Sequence, residues 1–181
     1  EFAADEHPRA GTDAAKLAKL RGINGADLTV TAGNASGVND GAAALMLSTA
    51  DHAAKLGLTP RARLVSQATF AHEPEWFTTA PIPAAQKLLK RIGWSADQVD
   101  LWEVNEAFAV VPMVFMREMR LSPDIVNVNG GACALGHPIG ASGARIMVTL
   151  LHALERGDLK RGVATICIGG GEATAIAIER V

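Results

Sequence analysis

Three side chains that can move protons or donate hydrogen bonds lie where apolar segments give way to loops. Cys167 lies at the end of an apolar run and is followed by Ile168 and three glycines, and Asn105 follows the segment Leu101–Val104. His137 lies between a glycine and a proline, shortly before a predicted helix. An imidazole transfers protons readily near neutral pH, and so does a thiol that keeps a free pKa of about 8.5. These residue types predict acid–base chemistry in a cleft.

Each of the three residues also has a simpler structural interpretation. A lone histidine usually braces a turn, a cysteine in a strand usually packs as a small hydrophobic residue, and an asparagine before a helix usually caps it. For His137, the flanking glycines favour a functional role, because they clear space around the ring. For Cys167, a small hydrophobic residue and a thiol that reaches a ligand beside the backbone N–H groups of the glycines both remain open. For Asn105, both a helix cap and an amide that holds a water or a substrate oxygen remain open.

The elements that must position these residues alternate between strand and helix. The predicted strands are 63–70, Leu101–Val104, 125–128, 163–168 and 173–178. Predicted helices cover 49–56, 85–92, 107–119 with a kink at Pro112, and 141–154. The residues GGGE join the last two strands and predict an antiparallel hairpin. Apolar strands with little alternation indicate a sheet covered on both faces, so the predicted class is a layered α/β fold.

The first third of the chain shows a less regular pattern. Residues 13–20 form one short amphipathic stretch. Residues 28–48 predict a short strand, a turn rich in glycine and asparagine, a helix of small residues, and a buried apolar strand at 43–47.

Composition excludes several classes of function. The chain has 181 residues, 49% of them hydrophobic and 20% charged, which is typical of a packed protein. A net charge of −2 creates no field that would attract nucleic acid or an anionic membrane, and no apolar run is long enough to span a membrane. The sequence contains neither a P-loop nor a dinucleotide fingerprint. Its two cysteines lack metal-type spacing, so we expect reduced thiols, no metal and a cytoplasmic protein.

Four motifs occur in a fixed order along the chain. They are NASGVNDGAA, VNEAFA, NVNGGACALGHPIGASGAR and CIGGGEATA, with His137 lying 32 residues after Asn105 and Cys167 lying 30 residues after His137. In these motifs and spacings the chain resembles the carboxy-terminal half of thiolases, which make or cleave carbon–carbon bonds in acyl-CoA thioesters. Since the chain does not begin with Met, we expect a fragment or a processed product.

The resemblance implies catalytic roles at four positions. In thiolases, a cysteine of the amino-terminal half forms an acyl-enzyme, and the residue matching His137 takes that cysteine's proton and helps to bind a thioester oxygen. The residue matching Cys167 moves a proton at the Cα of the second acyl-CoA. The residue matching Asn105 positions a water, and the backbone N–H of Gly169 matches an oxyanion donor. No cysteine here has the nucleophile's sequence context, and Cys133 is interpreted as a small structural residue.

The resemblance also implies the ligand, the domains and the partners. Ala32 and Ser36 match positions that contact the pantetheine arm of coenzyme A, and Phe108 matches a residue that lines the acyl pocket. The substrate is then an acyl-CoA thioester, with no covalently bound cofactor. Residues 1–36 correspond to the tail of a CoA-binding loop region, 37–57 to the last elements of the amino-terminal domain, and 58–181 to the carboxy-terminal domain. The expected protein partners are an amino-terminal half and further copies in an oligomer.

Three functions remain open at this stage. The first is reversible condensation and thiolysis of acetoacetyl-CoA, and a variant of it acts on longer 3-ketoacyl chains. The second is acyl-CoA or lipid binding without catalysis, although binding alone needs neither the thiol nor the imidazole. The third is a structural fragment that is inactive without an amino-terminal half. The apolar face of residues 37–57 predicts association with another chain.

Overall fold

A mixed four-stranded sheet forms the centre of the computed structural model, which describes residue 1 and residues 3–181. Its strands are β1 (Ala62–Ala71), β2 (Leu101–Val104), β3 (Arg161–Ile168) and β4 (Glu172–Arg180). They lie in the order β1-β4-β3-β2, with β2 and β3 parallel and the other two pairs antiparallel. The predicted hairpin is therefore the pair β3–β4, and the predicted α/β class with a mixed sheet is confirmed.

Helices flank this sheet on both faces. The α-helices of the described residues are α1 (Ala14–Leu17), α2 (Ala50–Lys55), α3 (Pro81–Ile92), α4 (Val110–Met119), α5 (Ala132–Leu135) and α6 (Ser142–Arg156). Short 3-10 helices cover Pro74–Thr79, Ala96–Gln98 and Pro123–Ile125. Helices α3 and α4 pack on one face of the sheet, and α6 packs on the other. The layers follow from strands that are apolar on both sides.

Side chains of β2 divide between the two faces, as the two-residue period of a strand requires. Trp102 and Val104 point to the face covered by α3 and α4, where the Trp102 ring lies 5.5 Å from that of Phe115. Leu101 points to the opposite face and packs with Leu150 of α6. Because both faces of β2 are anchored in cores, the residue that follows this strand has a well-defined position.

Two details of the predicted elements are wrong. Pro112 lies in the first turn of α4, which begins at Val110, so its missing N–H removes no internal hydrogen bond and the predicted kink has no cause. Residues 125–128 do not form a strand. The chain instead makes a 3-10 turn at Pro123–Ile125 and a single parallel bridge between Trp102 and Val126.

Residues 37–49 also differ from the expectation. The predicted small-residue helix and buried strand are absent from this described segment, which runs without regular structure until α2 begins. Met46 and Leu47 are 84% and 76% exposed. An apolar strand is stable only when it is paired and covered, and residues 43–47 pair with none of the four strands of this sheet. The predicted strand near residue 28 is likewise reduced to one bridge between Gly22 and Thr31.

Candidate functional site

The backbone of His137 is held by the segment 37–39. Its N–H lies 3.2 Å from the carbonyl oxygen of Gly37 and 3.1 Å from Oδ1 of Asn39, and it donates to both. Gly136 precedes it with φ +94°, and a Cβ at Gly136 would lie 2.6 Å from the Asn39 side chain. Only glycine fits this close approach at a positive φ, which explains the glycine before the histidine.

Both ring nitrogens of His137 have partners. Nδ1 lies 2.6 Å from Oγ of Ser142, and that hydroxyl donates to the carbonyl oxygen of Pro138 at 3.0 Å. Nε2 lies 3.3 Å from Nδ2 of Asn105. The structure thus brings together His137 and Asn105, and it adds Ser142, which the sequence reasoning did not select. The signal available for Ser142 was its position five residues after the histidine, at the start of the predicted helix.

The environment of His137 favours a neutral ring. The imidazole is half-buried, and this burial lowers its pKa because a charged ring loses hydration. The positive charge of Arg145 lowers the pKa further. A ring that is uncharged at neutral pH can accept a proton, which is what a general base requires.

Asn105 is anchored from two directions. Its backbone N–H donates to the carbonyl oxygen of Thr165 at 3.0 Å, which continues the pairing of β2 with β3. Next to it, the side chain of Asn127 accepts from the N–H of Val104 and donates to its carbonyl oxygen, both at 2.8 Å. Asn105 is 1% exposed, and among the described residues its Oδ1 has no hydrogen-bond partner. A buried amide oxygen without a partner is costly, so this atom is suited to binding a small polar molecule.

Cys167 lies near the carboxyl end of β3, two residues beyond Thr165. Its side chain belongs to the core under α3 and α4 and is 8% exposed. Burial raises the pKa of this thiol to about 11, so the sequence-based expectation of a pKa near 8.5 is wrong. Within the described residues, the side chains of His137 and Asn105 are hydrogen-bonded to each other, but neither makes a hydrogen bond to the sulfur of Cys167. Cys167 is therefore a protonated thiol on the strand next to Asn105.

The remaining site positions lie in loops around this centre. Gly169 is exposed in the β3–β4 turn, where Gly170 and Gly171 adopt φ of +98° and +89°. Ser36 donates through both its N–H and its hydroxyl to the carbonyl oxygen of Ala107, at 3.1 Å and 3.0 Å. This contact places Ser36 beside Phe108, which pairs with Ala35. Ala32 is exposed and lies on the same loop as Ser36.

A half-buried carboxylate organises the glycine-rich loop before His137. Glu106 accepts from the backbone N–H of Cys133 at 3.0 Å and from the side-chain amide of Asn127 at 3.1 Å. A Cβ at Gly131 would lie 2.1 Å from the Glu106 carboxyl carbon. Burial and the charge of Glu106 raise the pKa of the Cys133 thiol to about 11, which opposes a nucleophilic role for Cys133.

A second carboxylate lies beneath the site. Glu103 on β2 is 2% exposed, and its Oε2 lies 3.8 Å from Nη1 of Arg145. Burial raises the pKa of Glu103 to about 7, against the opposing field of Arg145. The sequence showed only an isolated charge in an apolar run, and the burial that gives this glutamate its properties depends on the tertiary fold.

Two classes of site are absent from the described part of the chain. No group of three or more histidine, cysteine or acidic side chains is arranged to hold a metal ion. No helix among residues 1 and 3–181 is long and apolar enough to cross a membrane.

Comparison with known proteins gives matches along almost the whole chain. The model of the thiolase C-terminal domain matches residues 58–180, and that of the thiolase N-terminal domain matches residues 1–51. An acetyl-CoA acetyltransferase of Paracoccus denitrificans is 52% identical over 177 residues, covering 98% of this chain and 45% of the relative. A beta-ketoadipyl-CoA thiolase of Pseudomonas aeruginosa is 51% identical over 179 residues, covering 98% of this chain and 45% of the relative.

Solved structures show the same relationship. The crystal structure of the Bacillus anthracis acetyl-CoA acetyltransferase superposes with a TM-score of 0.93 at 46% identity, covering 98% of this chain and 45% of that one. The human mitochondrial 3-ketoacyl-CoA thiolase gives a TM-score of 0.89 at 41% identity, again covering 98% and 45%. The chain thus spans less than half the length of these relatives.

Proposed function

Because this chain belongs to the thiolase family, we propose that it supplies the acid–base half of an acyltransferase that condenses and cleaves acetoacetyl-CoA. The observation that carries the proposal is the pair of buried Asn105 and half-buried His137, whose side-chain nitrogens lie 3.3 Å apart, with an amide oxygen of Asn105 that lacks a partner among the described residues. The α-carbon of a thioester is a weak acid, so such a reaction depends on donors that stabilise an enolate oxygen. A polar pair with spare hydrogen-bonding capacity supports this chemistry.

We assign to Asn105 the role of holding a water. Its free Oδ1 accepts one hydrogen of that water, and the second hydrogen then points at the enolate oxygen. The backbone of Val104 and Asn105 is held by hydrogen bonds to Asn127 and Thr165, and donors that are fixed before charge develops stabilise that charge most effectively.

We assign to His137 two successive roles. As a neutral ring it takes the proton of the nucleophilic cysteine supplied by the amino-terminal half, through Nε2. The resulting Nε2–H then donates to a thioester oxygen of the acyl group. The lowered pKa supports the first role, because the ring must be uncharged before it can accept a proton. The backbone N–H of Gly169, in the exposed turn after Cys167, is proposed as a second donor to the tetrahedral intermediate.

We assign to Cys167 the proton transfer at the α-carbon. In the cleavage direction the thiol gives its proton to the departing enolate, forming acetyl-CoA and a thiolate. That thiolate then accepts the thiol proton of incoming coenzyme A, whose sulfur attacks the acyl-enzyme, so the cysteine returns to its starting state. The raised pKa of Cys167 supports this direction, since a donor must be protonated at neutral pH.

The binding residues and the substrate are also proposals. Ala32 and Ser36, on the loop beside Phe108, are assigned to the pantetheine arm, and Phe108 is assigned to the acyl pocket. Relatives named as acetyl-CoA acetyltransferases support a short acyl chain, while the likeness to a 3-ketoacyl-CoA thiolase keeps longer chains as the alternative. We retain 1–36 as a CoA-binding loop region, 37–57 as the end of an amino-terminal domain, and 58–181 as the carboxy-terminal domain.

One observation favours a second candidate for the isolated chain, an inactive structural half. Val38, Met46 and Leu47 are 87%, 84% and 76% exposed, which leaves three large apolar side chains in water within one short segment. Such a surface is expected to associate with an amino-terminal half or with further copies of the chain. Catalysis would then require that association.

The experiment combines this chain with the separately expressed amino-terminal half of the Paracoccus denitrificans relative. Thiolysis of acetoacetyl-CoA is followed for each part and for the mixture. We expect activity only in the mixture, its loss with Cys167→Ala, and its retention with the matched control Cys133→Ala. Binding of acetyl-CoA without any turnover in the mixture would favour the non-catalytic alternative, and activity that survives Cys167→Ala would refute the role of this thiol.

A further inference from the structure

Ser142 connects the candidate catalytic histidine to a rigid helix. It is the first residue of α6, it is 0% exposed, and its Oγ lies 2.6 Å from Nδ1 of His137. The rest of α6 is fixed in the core through Ile146, Leu150 and Leu154. A hydroxyl on such a helix has little freedom to move, so the ring position is determined by the fold itself.

The donors and acceptors around the ring select one tautomer. The amide nitrogen of Asn105 can only donate, which favours Nε2 of a neutral His137 as the acceptor and Nδ1 as the site of the ring proton. Nδ1–H then donates to the hydroxyl of Ser142, which donates in turn to the carbonyl oxygen of Pro138 at 3.0 Å. Each contact in this series then pairs one donor with one acceptor. The opposite tautomer would place Nε2–H against the amide hydrogens.

We propose that Ser142 is a positioning residue that keeps the proton of His137 on Nδ1 and so presents the lone pair of Nε2 toward Asn105. The consequence for the reaction rests on the function proposed above, because that function needs Nε2 as the atom that accepts the nucleophile's proton. The position of the ring proton follows from the contacts of His137 and does not depend on the proposed function. Proton uptake at Nε2 breaks its contact with the Asn105 amide hydrogens, while the hydroxyl of Ser142 still accepts from Nδ1–H, so the contact with Ser142 serves both states of the ring.

The test measures the ring nitrogens of His137 directly. The chain is labelled with nitrogen-15 on histidine, and the signal of His137 is identified by its loss in His137→Asn among the five histidines. In the unsubstituted chain we expect one protonated nitrogen, Nδ1, and one unprotonated nitrogen, Nε2. In Ser142→Ala we expect averaged shifts from both tautomers, since losing one hydrogen bond of ordinary strength changes such an equilibrium about fivefold or more.

A matched pair of variants separates the hydroxyl from packing. Ser142→Thr and Ser142→Val have the same shape and differ in the hydroxyl, so they decide the question even where Ser142→Ala does not fold. The threonine variant should keep the proton on Nδ1, and the valine variant should not. A proton found on Nε2 in the unsubstituted chain, or identical nitrogen shifts in the threonine and valine variants, would overturn the proposal.

An activity measurement keeps this proposal distinct from the proposed function. In the mixture with the amino-terminal half, Ser142→Val should lower kcat roughly tenfold to hundredfold relative to Ser142→Thr, a part of what general-base catalysis contributes. If the mixture is inactive with the unsubstituted chain, the proposed function fails, and the nitrogen shifts still decide the role of Ser142.

Discussion

Replacing the buried glutamate beneath the site should change how stability depends on pH. Glu103 is 2% exposed, and its carboxyl has a pKa of about 7 in the folded chain against the ordinary 4.5. Below pH 4.5 both the folded and the unfolded chain carry this proton, so its titration does not change the free energy of unfolding. Between pH 4.5 and 7 the unfolded chain releases the proton first, which favours unfolding. The free energy of unfolding should therefore fall across this range because of Glu103.

The size of the effect follows from the pKa difference. One unit of pKa difference corresponds to about 1.4 kcal/mol, so the rise from 4.5 to about 7 corresponds to about 3 kcal/mol. Glu103→Gln keeps the shape and removes the titration. Relative to the unsubstituted chain, the variant should gain about 3 kcal/mol of stability between pH 4 and pH 8.

Urea unfolding between pH 4 and pH 8 measures this difference. Trp102 is 1% exposed, so its fluorescence reports the loss of the core. The lowered pKa of His137 acts with the opposite sign near pH 6, and it cancels when the variant is subtracted from the unsubstituted chain. Glu118→Gln is the control, because this glutamate lies on the surface with its side chain 51% exposed. Parallel stability curves for Glu103→Gln and the unsubstituted chain would refute the reasoning.

Two further predictions concern the loop before the histidine and the thiols. Gly131→Ala should destabilise the chain by about 1–3 kcal/mol, because the new Cβ would lie 2.1 Å from the carboxyl carbon of Glu106. Gly143→Ala is the matched control, since a Cβ there meets nothing within 4 Å, and the stability of the chain should rise by about 0.5–1 kcal/mol. Urea unfolding measures both variants, and equal changes in stability would contradict the steric argument. At pH 8 Cys133 and Cys167 should react with a disulfide reagent roughly a hundredfold more slowly in the folded chain than in urea, because burial raises both pKa values to about 11. Similar rates would show that these thiols are accessible and ionised.

The order of strands and helices could be predicted because each element carries its own local pattern. The sequence shows both the apolar stripe of α3 and the glycine at which this helix ends. In the structure this residue, Gly93, adopts φ +70°. The segment 43–47 could not be predicted in this way. Its apolar run is typical of a buried strand, but whether a run is buried depends on partners elsewhere, and here its side chains are exposed.

The candidate site shows the same division. Asn105 and His137 could be selected from their positions at the ends of elements, and they lie 3.3 Å apart. Glu103 could not, because its significance comes from contacts that local sequence does not encode, and for Ser142 the sequence offered only its position at the start of the predicted helix. The pKa of Cys167 was misjudged for the same reason: the sequence shows the thiol near glycines but not the depth of the core around it.

The attachment of His137 to the segment 37–39 has a mechanical consequence. The backbone N–H of His137 donates hydrogen bonds to Gly37 and Asn39, and Val38 between these two residues is 87% exposed. A molecule that docks on Val38 therefore contacts the same short segment that positions the imidazole of His137. Association at residues 37–39 would therefore bear on the position of the ring through the backbone contacts of His137.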